Sequence, residues 1–120
     1  MADAGQPQKI KVYQTQKTTF QVSLPSDYSS VSDYIFNFTV KNSNSSDPII
    51  EKEWTGANNA LSGYSTAFTL SISDTNNPLG EYKLAELWMR DQMSDAYRIW
   101  PIQDKEGHFY ILPSAKNFST

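Results

Sequence analysis

Residue types able to move protons or hold metals are thinly spread along this chain. There is a single histidine, His108, and the closest carboxylate sets on extended stretches are Glu51 with Glu53 and Glu81 with Glu86. A catalytic histidine needs a nucleophile or an orienting carboxylate beside it, and a metal site usually needs several imidazoles or thiolates. His108 has neither nearby in sequence and reads as a surface residue flanking a hairpin. Glu51 and Glu53 are two apart and share one face of a strand. Glycoside hydrolysis requires two carboxyls facing each other across a cleft, so this pair fits solvation better. Glu86 falls on the same strand face as Tyr82, Leu84 and Trp88. If buried it needs a partner, which Lys or Arg of a neighbouring strand can supply. A structural ion pair is the preferred reading there over a catalytic acid. Asp74, Asn76 and Asn77 carry oxygens that calcium would accept, but calcium loops are more densely acidic. Asp74 and Asn76 are expected to bond their own backbone around a corner.

The sequence has no cysteine, which excludes disulfides, thiolate-bound zinc and thiol catalysis. The five glycines are scattered, with no phosphate-cradling loop and no Gly-x-Ser-x-Gly elbow. No catalytic, cofactor or metal site is expected, and the chain does not read as an enzyme. The aromatics offer a different chemistry. Trp54, Trp88 and Trp100, with Tyr13, Tyr28, Tyr64 and Tyr110, can either stack on sugars or pack a core. Trp88 and Trp100 read as core or rim, and Trp54 as the exposed one.

The elements that would position these residues are short strands. Ile10 and Val12 alternate, as do Phe20, Val22 and Leu24, the last closing at Pro25. Residues 25–33 are a Ser- and Asp-rich loop. Tyr34, Phe36, Phe38 and Val40 give the cleanest period of two, with Ile35 the apolar exception on the opposite face. A turn cluster spans residues 42–48. Ile50, Lys52 and Trp54 then alternate with Ile49, Glu51 and Glu53, and the paired carboxylates mark an exposed, edge-type strand. Residues 55–63 read as a loop, with a helical turn near Asn59 as the alternative. Phe68, Leu70 and Ile72 lead to the polar corner Asp74-Thr75-Asn76-Asn77-Pro78-Leu79-Gly80, and Tyr82 opens the next strand. Residues 83–92 have helix-forming composition, yet the tight corner and the missing N-cap favour strand. Tyr97 to Ile102 form another strand; Pro101 within it points to an edge or a bulge. Residues 104–107 read as a hairpin loop with Gly107 at positive φ. Phe109 and Ile111 belong to the last strand.

These patterns predict one all-β domain: an immunoglobulin-like antiparallel β-sandwich of seven to nine short strands over residues 10–113. Residues 1–9 are expected to be a flexible N-terminal arm, free or ordered against a neighbour, and 114–120 a polar tail. The 120 residues and 38% hydrophobic content suit one two-layer core. A net charge of -3 without a dense Lys/Arg cluster argues against nucleic acid and against anionic membranes. No apolar run approaches the ~18 residues of a membrane span. The first residues lack the apolar core of a signal peptide, so synthesis in the cytoplasm is expected. Without such a signal, Asn37-Phe38-Thr39, Asn44-Ser45-Ser46 and Asn117-Phe118-Ser119 are read as chance matches to the glycosylation pattern.

The order of these features, from Leu24-Pro25 through Tyr34-Ile35-Phe36-Asn37-Phe38-Thr39-Val40, Glu51-Lys52-Glu53-Trp54, Phe68-Thr69-Leu70-Ser71-Ile72 and Leu79-Gly80-Glu81-Tyr82 to Gly107-His108-Phe109-Tyr110-Ile111-Leu112-Pro113, resembles small immunoglobulin-like domains of tailed-phage virions. These include the N-terminal domains of siphophage baseplate upper proteins and head-decoration domains. The resemblance covers about residues 10 to 113 and implies a structural virion protein, made in host cytoplasm. It would be a decoration, cement or adaptor module binding other virion subunits in capsid, collar or baseplate, as a monomer or a homo-oligomer. The helix-like, charged stretch 83–94 and the turn 103–107 depart from that pattern. A carbohydrate-binding module using Trp54 and nearby Tyr is the alternative.

Overall fold

The computed structural model describes residues 8–24, 30–42, 47–91, 96–101 and 107–115. The expected arm before Gln8, the turns at 43–46 and 92–95, the loop at 102–106, the tail after Ala115, and Tyr28, Asn44 and Asn117 lie outside them.

The described residues form ten strands: β1 (Gln8–Tyr13), β2 (Thr18–Ser23), β3 (Ile35–Lys41), β4 (Pro48–Thr55), β5 (Ala60–Ser62), β6 (Ser65–Leu70), β7 (Gly80–Tyr82), β8 (Leu84–Arg90), β9 (Ala96–Trp100) and β10 (Gly107–Leu112). One short helix, α1 (Ile72–Thr75), joins β6 to β7. The ladders run β2-β6-β5, β4-β3-β8-β9 and β1-β10-β7. Since β7 runs on into β8, the last two ladders make one broad layer, and β2-β6-β5 is the other. This is an immunoglobulin-like β-sandwich.

The alternation seen in the sequence builds the core. Phe36, Phe38 and Val40 point inward from β3 and are fully buried, as are Val12, Met89, Phe109 and Ile111 from the same layer. Val22, Phe68 and Leu70 meet them from the other layer. The Phe38 and Phe68 rings approach to 5.0 Å between centroids across the gap.

The corner after β6 is more structured than a plain turn. Ser71 caps α1 by accepting from the Asp74 amide at 3.2 Å, while the Asp74 carboxylate accepts from the Ser71 amide at 2.8 Å. This reciprocal pair satisfies two donors at the helix start. Asn77 donates to the Asp74 carbonyl at 2.7 Å, and the Tyr82 hydroxyl donates to the Pro78 carbonyl at 2.6 Å. The latter is the tyrosine corner of immunoglobulin-like sandwiches. Gly80 takes a φ of +143°, which a side chain would strain.

Several expectations need correction. Among the described residues the strand count is ten, because the strand after the corner is broken in two at Lys83 and residues 60–62 supply one more. The break at Lys83 also turns Tyr82 inward, away from Leu84, Glu86 and Trp88. The sandwich is not wholly antiparallel, since β1 pairs with β10 in parallel, from Gln8 opposite Gly107 to Tyr13 opposite Leu112. The two are far apart in sequence, so no hairpin fixes their relative direction. Gly107 is not at positive φ; a Cβ there would sit 2.7 Å from the Ala85 carbonyl oxygen, and close approach is what the position requires. Nor do β9 and β10 pair with each other, as a hairpin would demand. Residues 60–62, read as loop, add β5 to the edge of the smaller sheet. Residues 84–90 are strand, as the corner implied.

Candidate binding face

The outer surface of β4-β3-β8-β9 gathers outward polar, charged and aromatic side chains from four strands. Cross-strand register orders them in rungs. Asn37 on β3 lies opposite Glu53 on β4 and Trp88 on β8, and Trp88 lies opposite Arg98 on β9. The next rung is Glu51, Thr39 and Glu86. On the other side comes Thr55, Ile35, Arg90 and Ala96. The face is therefore polarised: Glu51 and Glu53 stand exposed along β4, while Arg90 and Arg98 stand on β8 and β9.

Trp88 sits at the centre, half-buried, between two concavities. One, of about 500 Å³, is lined by Thr39, Lys41, Asp47, Glu51, Glu86 and Trp88 among others. The second, of about 210 Å³, runs past Ile35, Asn37, Glu53 and Arg90. The Trp88 indole N–H donates to Glu86 Oε1 at 2.9 Å, and Arg98 donates to Glu86 Oε2 at 3.3 Å. Glu86 is not buried, its side chain being 45% exposed, and it nonetheless pairs with Arg98 of the adjacent strand. Asn37 donates to Glu51 at 3.4 Å, a long bond. An indole fixed on one side by a carboxylate presents its remaining ring surface at a single orientation, which favours recognition over mobility.

The aromatic readings change here. Trp54, expected to be exposed, faces inward with Ile50. Its ring stacks on Phe36 at 5.5 Å and Phe68 at 5.0 Å, and its N–H donates to Thr66 Oγ1 at 3.0 Å. Trp88, expected in the core or rim, is the tryptophan on the outer face. Trp100 packs on Phe38 at the core edge, as expected. Tyr13 and Tyr64 are exposed at separate places, half-way and two-thirds respectively, and build no common platform with Trp54.

His108 is a further correction. It is only 9% exposed, on the outer face of β10, with Nδ1 2.8 Å from Glu81 Oε2. The Tyr110 hydroxyl donates to the same oxygen at 2.6 Å. This bond, above all, holds the Glu81 carboxyl below its ordinary range, with the charges of His108 and Lys83 adding to it; it also pushes the Tyr110 phenol up. Lys9 and Lys11 flank His108 and Tyr110 across the β1 register. The chain thus gathers cations on this face that are scattered in sequence. The cluster joins β7 to β10.

Asp74 pairs with Lys52 at 2.6 Å. Burial raises its pKa, but the bonds from Lys52 and Ser71 outweigh this and leave it below the usual value. Its oxygens go to Ser71 and Lys52, in keeping with the backbone-bonding reading for Asp74, while the side-chain amide that bonds backbone here is that of Asn77 and not the expected Asn76. Among the described residues, no three His, Asp or Glu side chains come together as a metal would require. No described helix is long and apolar enough to cross a membrane.

No protein-family model and no curated protein matches the chain. Among solved structures, the chain is similar to an extracellular domain of the voltage-gated sodium channel beta4 subunit at 13% identity. That match covers 95% of this chain and 98% of that one, with a TM-score of 0.48. A structure of the ZIG-8–RIG-5 IG1–IG1 heterodimer matches at 12% identity, covering 92% and 87%, with a TM-score of 0.41. Murine CRIg matches at 7% identity over 90% and 93%, with a TM-score of 0.39. The fold assignment rests on the strand order, the two facing layers and the Tyr82 corner.

Proposed function

We propose that this chain is a non-catalytic docking module whose outer β4-β3-β8-β9 face binds another protein. The observation that supports this most is Trp88, held by Glu86 between two concavities and ringed by charges of both signs. An aromatic anchor within a polar rim is the usual energetic plan of a protein interface. The setting proposed comes from the sequence resemblance: a tailed-phage virion, where the domain would decorate, cement or adapt capsid, collar or baseplate. Repetition around the particle would add avidity to weak individual contacts. Quantitative mass spectrometry of purified particles tests the setting. A copy number near that of the capsid protein indicates decoration, and a small multiple of tail symmetry indicates a collar or baseplate part. Absence from particles refutes the virion setting.

A second reading, carbohydrate binding, now centres on Trp88 rather than Trp54, because the cleft beside it combines an indole with Thr39, Asp47, Glu51 and Glu86. A glycan array separates the two. Binding that disappears in Trp88→Ala would favour sugar, and a blank array favours protein docking.

A further inference from the structure

The charge pattern of the outer face is complementary to itself. Its acidic margin is β4, with Glu51 and Glu53 exposed. Its basic side is β8 and β9, where Arg90, exposed, and Arg98, part-exposed, outnumber the one carboxylate there, Glu86. We infer that the partner of this face includes a second copy of the same chain, packed face to face about a two-fold axis that runs along the strands. The inference rests on the reading of this face as a docking surface.

The register selects the axis. A two-fold along the strands, passing between β3 and β8, sets β4 of one copy opposite β9 of the other. Glu53 then meets Arg98 of the second copy, and Asn37 meets Trp88, since these four share one rung. Lys41 meets Leu84, its own cross-strand partner, by the same symmetry. Like charges do not meet. A two-fold across the strands instead lays β4 antiparallel on β4, setting the acidic pair Glu51 and Glu53 of one copy against the same acidic strand of the other, and like-charge juxtaposition of this kind is strongly disfavoured. Both arrangements are isologous, and only the first is charge-matched.

Apolar surface is present where such a contact needs it. Trp88 and Ile35 lie toward the middle of the face, and Ala96 and Leu84 toward its margins. Arg98 keeps its bond to Glu86 in the free chain at 3.3 Å, with the rest of the guanidinium available to a second carboxylate. Four strands about 4.8 Å apart and about six residues of ~3.3 Å each span roughly 19 by 20 Å. That is about half of the ~800 Å² each partner contributes to a standard stable interface, so the dimer is a weak one. Its dissociation constant is expected in the range of about 10 µM to 1 mM, suited to copies held at high local density.

Sedimentation equilibrium on the full chain up to about 2 mM is the test, with the Trp88 indole N–H followed by NMR over the same range. Reversible dimerisation with a concentration-dependent Trp88 shift is expected. Glu53→Arg, a surface change on an exposed position, should weaken the dimer by at least about tenfold, as should Arg98→Glu. An equimolar mixture of the two variants should recover a heterodimer, because each contact then pairs opposite charges again. Circular dichroism confirms that each variant is folded, and Glu53→Arg carries the test alone if Arg98→Glu is not. A chain that stays monomeric at 2 mM overturns the inference while leaving the particle count to judge docking separately. A dimer undiminished by Glu53→Arg, or no recovery on mixing two folded variants, overturns it too.

Discussion

Replacing Trp54 decides whether this ring is structure or ligand platform. Its contacts define the cost. The indole stacks on Phe36 and Phe68 and gives its N–H to Thr66, a fully buried residue. Removing a packed tryptophan costs about 3–5 kcal/mol when fully buried, and the half-buried ring here points to the lower end, about 3 kcal/mol. Trp54→Phe keeps much of the stack but takes the donor from Thr66. Thr66 still donates to the Asn59 carbonyl at 3.1 Å, so one acceptor lone pair is left unused rather than a whole group orphaned. About 1 kcal/mol for the bond and about 1 kcal/mol for lost ring area give ~2 kcal/mol. Urea unfolding followed by far-ultraviolet circular dichroism reads both values without relying on the lost fluorophore. At an m-value of about 1.5 kcal/mol/M the midpoints fall by roughly 2 M and 1.3 M. A loss below about 0.5 kcal/mol in Trp54→Ala would refute the packing and return Trp54 to the surface.

Other outcomes follow from the same contacts. Tyr82→Phe removes the hydroxyl bond to Pro78 and should cost about 1 kcal/mol by urea titration, with the core ring retained. Gly107→Ala must move β10 off the Ala85 carbonyl and should cost about 1–3 kcal/mol in the same assay. Glu81 has its folded pKa lowered below the ordinary 4.5, so its contribution is complete above that value and fades as pH falls through the lower folded pKa. Tyr110→Phe should therefore raise the Glu81 pKa in a carbon-detected NMR titration and make the acid limb of stability less steep; an unchanged titration contradicts the hydrogen bond. Trp88→Ala should leave the urea midpoint close to that of the parent relative to Trp54→Ala, while abolishing the concentration-dependent association.

Much of the fold is legible because a strand's side-chain period is local. Phe36, Phe38 and Val40 announce the buried face of β3, and Glu51 and Glu53 announce the outer side of an edge strand. The corner from Ser71 to Tyr82 is also local, made from residues within a dozen positions. Most errors come where a contact spans the chain. Alternation does put Trp54 on the side of Ile50, but the receptors for its ring and N–H, Phe68 and Thr66, lie on β6 in the other layer. His108 looked isolated because Glu81 reaches it only through the β10–β7 pairing. The binding face needs the register of four strands at once, and no single stretch encodes it. Alternation puts Tyr82 on the face of Leu84 and Trp88, but one irregular residue, Lys83, reverses the parity of all that follows.

The parallel pairing of β1 with β10 has a mechanical consequence. The strands run side by side in the same direction through six matched positions. The chain therefore enters this pair near one pole of the domain, at Gln8, and leaves near the opposite pole, at Leu112. Tension applied between those points acts along the strands and loads the whole ladder in shear. Rupture then requires its hydrogen bonds to fail together, whereas a hairpin pulled from one end opens a bond at a time. A domain strung between two attachment points would thus resist stretching along its first and last strands, and yield there far more readily if pulled crosswise, where the bonds open in turn.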